Sequence, residues 1–333
     1  MKHVFDDASA GGGAQAMMSR LKLVAELGRL RKELITLPQG IAAMAERLKL
    51  VKRANVVRTE LKAATLAADP AKAMKLEREP SEPVEEPRRP TAELYSHDEQ
   101  RTKGQRQKAN NAAVELLGRI QSGEVSREEL TDEDRAVLAG YSGNGGALVG
   151  ADGKKGSVYE YYTPKPIAEG IWDALGAMGF SGGKILDPAA GTGVFGAAAP
   201  RNTAVDAVEL DETSGTINAL VNAGPGYTAT VSPFEAVAAA TLDESYDAVV
   251  TNVPFGTVAD RGGNQNLDPK YQKETLEAYF ILRSLDKLKP GGLAAFVVPP
   301  RCVSGRGGAE VKLRQRASLK AEFLGAYRLP NSV

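Results

Sequence analysis

The chain of 333 residues is 42% hydrophobic and 25% charged, with 42 basic residues balanced by 42 acidic ones, enough for two domains of ordinary composition. A single cysteine excludes a disulfide framework or a multi-thiolate zinc site, and two histidines argue against a histidine metal centre or Ser-His-Asp chemistry, so no metal site is expected. No apolar run approaches the roughly 18–20 residues that span a bilayer and the first residues form no apolar signal segment, so the expectation is a cytoplasmic protein with no membrane partner.

Residues 1–16, rich in Ala, Gly and Ser, read as a mobile tail. Leu23, Leu27, Leu30, Leu34 and Leu37 then recur at spacings of four and three, which predicts a helix with one apolar seam. Pro38-Gln39-Gly40 interrupts it, and Ile41, Met44, Leu48, Val51 and Asn55 carry a second stripe with Arg47, Lys49, Lys52 and Arg53 on other faces. A helical hairpin within 1–68 follows, suited to packing within the chain, to self-association or to serving as a basic nucleic-acid arm. Basic residues exceed acidic ones up to residue 80, and the balance reverses over 81–150.

Residues 69–104 predict a linker, because Pro70, Pro80, Pro83, Pro87 and Pro90 stand among charges with almost nothing to bury. Residues 105–156 predict a helical subdomain, with helices over 105–118 and 126–138, the latter opening near Thr131, and then a glycine-rich loop over 140–153. From 157 to 333 strand and helix patterns alternate. Strands are expected at 184–187, 204–210, 227–232, 247–252, 293–299 and 323–329, and helices at 166–178, 213–223, 235–240, 273–288 and 310–319. That alternation predicts an α/β class, a doubly wound Rossmann-like sheet.

Asp187-Pro188-Ala189-Ala190-Gly191-Thr192-Gly193-Val194-Phe195-Gly196 leaves the first strand through a glycine-rich turn into a helix. Gly191, Gly193 and Gly196 spell G-x-G-x-x-G, which a nicotinamide-dependent oxidoreductase would also show. Charge separates the two. A pyrophosphate on this turn would meet the carboxylate of Asp187, whereas the ammonium and sulfonium of S-adenosylmethionine would be attracted to it. Cofactor-binding candidates on the turn are Asp187, Pro188, Ala189, Gly191 and Gly193. Glu209, ending the second strand, is placed to accept from ribose hydroxyls, or it is a solvated strand-end charge. After the third strand, Phe234 would stack on adenine and Glu235 would meet its exocyclic amine; a core phenylalanine and a helix-start glutamate explain the same pair.

Asn252-Val253-Pro254-Phe255 follows the fourth strand at the carboxyl edge of the sheet. Methylating an exocyclic amine requires its lone pair to be drawn out of conjugation with the ring. One acceptor for each N–H does this, and the Asn252 side-chain oxygen and the Val253 carbonyl can serve, with Pro254 stiffening the turn and Phe255 stacking on the base.

With this tetrapeptide the chain resembles the amino-methyltransferases that carry a DPPY or NPPF type motif. It is most similar to the N6-adenine methyltransferase domain of large methyltransferase-helicase fusion proteins of phages and conjugative elements, some associated with protection against restriction. The likeness spans roughly 105–333, through QRQKANNAAVELL, EDRAVLAGYSGNGGAL, YYTPKPIAEGIWDALGAMGF, ILDPAAGTGVFG, NVPFG, YFILRSLDKLKPGG and FLGAYRLPNSV. It implies S-adenosyl-L-methionine as cofactor, with Thr163 contacting its carboxylate, and adenine N6 in DNA as substrate. It also implies a bacterial host cytoplasm or a virion as location. Val253 departs from the proline of many relatives, which leaves room for a looser turn. RNA and protein glutamine are rival substrates, and a catalytically idle scaffold or packaged interaction protein is the rival class.

Residues 257–271 read as a lid, a DNA contact or irregular surface, and Arg301, Arg306, Lys312, Arg314, Arg316 and Lys320 as a phosphate-binding cluster or a solvated helix face. Cys302 reads as a small, partly buried side chain without chemistry. Sheets of the resembling family continue past the sixth strand, so the domain reads as C-terminally truncated. Its sixth strand is expected to be displaced, to pair with the fifth, or to be completed by a second polypeptide or a helicase region, and activity of the isolated chain is expected to be weak.

Overall fold

The computed structural model describes residues 88–96, 101–143 and 162–329, together with helical positions between 22 and 60. Two compact units result, one of Met1–Glu79 with Ala239–Asp243 and one of Pro80–Ala238 with Glu244–Val333. The expected tail at 1–16, the proline-rich stretch before residue 88 and the glycine-rich loop beyond residue 143 lie outside the described residues.

In the first unit, helical Leu30 and Val57 are buried against one another's surroundings, with Leu23, Leu50 and Leu242 packed on them. Arg53 reaches Glu26 at 2.9 Å.

The second unit opens with residues 88–96, which the sequence assigns to a linker. Instead Pro90–Leu94 forms a 3-10 turn, with Ala92 and Tyr95 buried. Arg88 pairs with Asp173 at 2.6 Å and donates to the Ala198 carbonyl, while Arg89 donates to the Thr203 carbonyl and lies over Tyr227. Two arginines and a tyrosine dock a segment that its prolines keep extended.

Helices α1 (Lys103–Gln121) and α2 (Asp132–Ala139) each start on a capping box, Thr102 with Gln105 and Thr131 with Asp134. They are not a separate subdomain as expected. Leu116, Leu117, Ile120 and Leu138 share one core with Ile185, Val205 and Ala248 of the sheet. Helix α3 (Lys165–Ala177) adds Trp172 to that core, and its indole N–H donates to the Phe195 carbonyl at 2.8 Å.

Five parallel strands follow: β1 (Gly183–Asp187), β2 (Thr203–Glu209), β3 (Tyr227–Val231), β4 (Tyr246–Asn252) and β5 (Leu288–Val297), in the order β3-β2-β1-β4-β5. Helices α4 (Val194–Ala198), α5 (Glu212–Val221), α6 (Phe234–Ala240) and α7 (Leu276–Lys287) connect them. Strand side chains alternate between the faces. Ile185, Val205, Ala207, Ala248 and Val250 enter the first core, whereas Leu186, Val208, Tyr246 and Val249 enter a second one with Phe234, Tyr279 and Leu282. This is a doubly wound α/β sheet, with the strand order reversing between β1 and β4. That reversal sets the carboxyl ends of neighbouring β1 and β4 side by side, Ile185 beside Ala248 and Leu186 beside Val249.

Helices α8 (Pro300–Ser304) and α9 (Gly308–Ser318) follow β5. Residues 323–329, expected as a sixth strand, form none: Phe323, Leu324 and Tyr327 are exposed, and β5 pairs only with β4 among the described residues. Apolar alternation alone does not make a strand, because a strand exists through a hydrogen-bonded partner.

Candidate active site

β1 ends on Asp187, which is 1% exposed. The chain then turns through Gly191 and Gly193, both at positive φ, and the Ala190 N–H bonds the Val208 carbonyl at 2.9 Å, fastening the turn to β2. Glu209, ending β2, accepts from the Gly191 N–H at 2.7 Å with one oxygen and from the Asp211 N–H at 2.8 Å with the other. A carboxylate has about four acceptor positions, so Glu209 keeps acceptor capacity for a diol. Tyr162, next to Thr163, lies against Gly191, where an added Cβ would stand 3.1 Å from its ring.

Burial pushes the Asp187 carboxyl up to about 7, opposed by the Ala189 N–H on Oδ1 and assisted by the charge of Glu209. Burial raises Glu209 as well, against the pull of the backbone N–H groups of Asp211, Gly191 and Leu210. Neither carboxylate has a cationic partner among the described residues. Asp187 Oδ2, Thr163 Oγ1 and Thr192 Oγ1 are buried without a hydrogen-bond partner. Such groups are costly to leave alone. An amino-acid zwitterion joined to a ribose fits the set: its ammonium answers Asp187, its carboxylate the threonine hydroxyls, and its diol Glu209.

Behind the turn stands a network that sequence reasoning missed. The Tyr95 hydroxyl donates to the Thr192 carbonyl at 2.5 Å and accepts from Asn222 Nδ2 at 2.7 Å, Asn222 also reaches Asn218 Oδ1 at 3.1 Å, and the Tyr227 hydroxyl donates to that same oxygen at 2.7 Å.

Asn252 ends β4 beside this turn. The Val253 N–H bonds the Val297 carbonyl at 3.0 Å and the valine side chain is buried, so the ladder to β5 runs one residue beyond Asn252. A proline there could not donate that bond. The looser turn that valine left open is therefore not found. Pro254, Phe255 and Gly256 are half-buried.

Phe234 and Glu235 are not placed as adenine contacts. Phe234 is 2% exposed, packed 5.9 Å from Tyr279 and 5.1 Å from Phe280 between ring centroids, which leaves no open face for a base. Glu235 Oε1 accepts from Arg261 Nε at 3.0 Å. Arg261 is itself fully buried, 4.0 Å over Tyr279, and donates to the Tyr271 carbonyl at 3.0 Å. Asp268 accepts from Tyr279 at 2.9 Å and from Arg283 at 2.6 Å. Residues 257–271 are thus anchored from within. Most of the basic cluster is engaged too: Arg316 and Lys312 with Glu274, Lys320 with Asp286, Arg301 with Glu277, and Arg314 with two carbonyls. Burial pushes the Cys302 thiol up to about 11, which disfavours the reactive thiolate.

Residues 228–332 match the N-6 DNA Methylase family, a span that holds β4 and its turn. Over 226 residues, 68% of the chain, the sequence is 47% identical to the Defense against restriction protein B of Escherichia phage P1. The chain carries an N-6 DNA methylase domain. It is also 26% identical over 198 residues to the EcoEI type I restriction enzyme methylase subunit of Escherichia coli, 54% of this chain. Those alignments cover 9% of the phage protein and 40% of the subunit, so the chain spans well under half the length of either. A putative class I S-adenosylmethionine-dependent methyltransferase from Listeria monocytogenes is similar at a TM-score of 0.43 and 17% identity, over 68% of this chain and 74% of that one.

Four contributions to the methylase domain escape motif reading: Tyr95, the Val253 N–H, Arg261 and Glu277. Each acts through a partner distant in sequence or through a backbone atom, and neither leaves a local signature. A lone aromatic in a proline-rich run, such as Tyr95, was the one usable hint. Among the described residues no helix is long and apolar enough to cross a membrane and no acid, histidine or cysteine cluster could hold a metal.

Proposed function

We propose that the chain is an S-adenosylmethionine-dependent methyltransferase acting on N6 of adenine in DNA. One observation carries this reading: two carboxylates without cations among the described residues, the buried Asp187 and the half-buried Glu209, lie at the ends of β1 and β2, and Asn252-Val253-Pro254-Phe255 lies at the end of the adjoining β4. When bound, the cofactor supplies an electrophilic methyl group on a sulfonium. Asp187 holds the ammonium, Thr163 and Thr192 offer hydroxyls to the carboxylate, and Glu209 accepts from the ribose diol.

The Asn252 side-chain oxygen accepts one N–H of the target amine and the Val253 carbonyl the other, which localises the nitrogen lone pair and aims it at the methyl group. Phe255 stacks on the base. A duplex adenine reaches such a turn only when flipped from its stack. No strong base is needed, because a methylated ring-conjugated ammonium is acidic and gives its proton to water. Protection of phage or mobile-element DNA against restriction is the role suggested by the name of the phage P1 relative.

The test is tritium transfer from labelled S-adenosylmethionine to duplex DNA, single strands and RNA, followed by nucleoside analysis. N6-methyladenine in DNA is the expected product. Label confined to RNA or protein would overturn the substrate, and a folded chain that transfers nothing and binds no cofactor would be an idle scaffold.

A further inference from the structure

Two charged residues outside the tetrapeptide converge on its turn. The Gly256 N–H, next after Phe255, donates to Glu277 Oε2 at 3.1 Å, and the Gly256 carbonyl accepts from the Leu276 N–H at 3.1 Å. Glu277 Oε1 accepts from Arg301 Nη2 at 2.8 Å and Nε at 3.3 Å. The guanidinium carbon of Arg301 stands 5.9 Å from the centre of the Phe255 ring, within reach of its π face.

Burial makes this arrangement informative. Glu277 is 7% exposed, so its charge is kept from water and must be answered by protein. Its two oxygens are divided between a backbone N–H of the turn and a guanidinium, which ties α7 and α8 to the residue beside the stacking ring. Arg301 itself is 45% exposed along its side chain, so the fold does not depend on burying it. Lysine could not replace the arginine, since two donors on one oxygen and a flat face over the ring both need a guanidinium.

We infer that Glu277 and Arg301 are positioning residues for the target base, a role resting on the methyl transfer proposed above. Glu277 fixes the backbone at Gly256, and Arg301, held by Glu277, sets the Phe255 ring in the plane on which the base stacks. The hydrogen bonds and ion pairs of Glu277 and Arg301 go to Gly256 and to each other, not to the 187–193 turn, so cofactor binding is expected to be independent of both.

The experiment uses the full chain and the variants Arg301→Ala, Arg301→Lys and Glu277→Gln. Cofactor affinity is read by calorimetry, and methyl transfer to duplex DNA as separate kcat and KM. Base stacking is read by fluorescence polarisation, as the preference for labelled oligodeoxyadenylate over an abasic oligomer of equal length. Arg301→Ala should lower that preference about ten-fold, the order of one weakened base–aromatic stack. It should also lower kcat and raise KM, with cofactor affinity kept. Arg301→Lys should recover only part of the loss, and Glu277→Gln should follow Arg301→Ala.

Unchanged preference and kinetics in Arg301→Ala, beside an active wild type, would overturn the positioning role alone. Equal weakening toward both oligomers would also overturn it, since that marks a phosphate contact. Loss of cofactor affinity in parallel would overturn it as general disruption. A wild-type chain that binds cofactor and methylates no nucleic acid would remove the functional reading and this role together.

Discussion

The two halves of the carboxyl edge treat buried charge in opposite ways. Around the β1 turn, Asp187 is buried and Glu209 half-buried, neither with a cation among the described residues, and Asp187 Oδ2 and the hydroxyls of Thr163 and Thr192 lack hydrogen-bond partners there. Beyond the β4 turn, Glu235, Asp268, Glu274 and Glu277 each face an arginine. An uncompensated buried carboxylate raises the free energy of the empty protein and lowers that of a complex with a cationic ligand. A compensated one fixes a loop. On the proposed reading, the first half receives the cofactor and the second holds the stacking ring and the two acceptors in place.

Breaking the compensated half should have the largest effect on stability. Arg261→Ala leaves Glu235 buried without its cation and should lower unfolding free energy by about 3–5 kcal/mol in urea titration. Replacing both partners, Arg261→Met with Glu235→Leu, should restore most of it. A loss under about 1 kcal/mol in the single variant, the ordinary range for a surface pair, would show that residues 257–271 are not anchored there.

Asn252→Ala should lower kcat by at least about a hundredfold, the cost of one misplaced hydrogen-bond acceptor or donor in a preorganised site, and leave cofactor affinity near wild type. Equal losses in both would assign Asn252 to the cofactor instead.

Tyr95→Phe sharpens the uncompensated half. It removes the hydroxyl joining the Thr192 carbonyl to Asn222, and should cost about 1–3 kcal/mol in unfolding free energy for the polar groups left buried, with a parallel weakening of S-adenosylmethionine binding by calorimetry. Lost stability with unchanged binding would separate this network from the turn.

A further effect is on pH dependence. The Asp187 carboxyl, near 7 instead of the ordinary 3.8, holds a proton in the folded empty protein that the unfolded chain releases. Stability from this group is therefore full at acid pH and declines as pH rises from about 4 to about 7. Cofactor binding runs the other way, because the ammonium prefers the ionised carboxylate, so affinity should fall by up to about tenfold per unit below pH 7. Asp187→Asn should flatten both curves.

Local pattern was enough for the sheet and for the residues that end its strands. Asp187, Glu209 and Asn252 stand where short apolar runs stop, and topology alone brings such ends to one edge. Long-range pairing was not legible. An aromatic followed by an acid after β3 suits adenine as well as a core, and only Arg261, 26 residues beyond Glu235, decides for the core. Residues 323–329 have the composition of a strand, but composition does not say whether an edge accepts them. Tyr95 follows a run of prolines that reads as linker, and its burial depends on Thr192 and Asn222 far along the chain.

The most direct test of the account is calorimetric titration of S-adenosylmethionine into the folded chain above and below neutral pH, with Asp187→Asn beside it. The account predicts saturable one-site binding to the wild type, weaker and accompanied by proton release on the acid side, and binding to Asp187→Asn that is greatly weakened and insensitive to pH. No detectable binding by a folded wild type, or equal binding by Asp187→Asn, would contradict it.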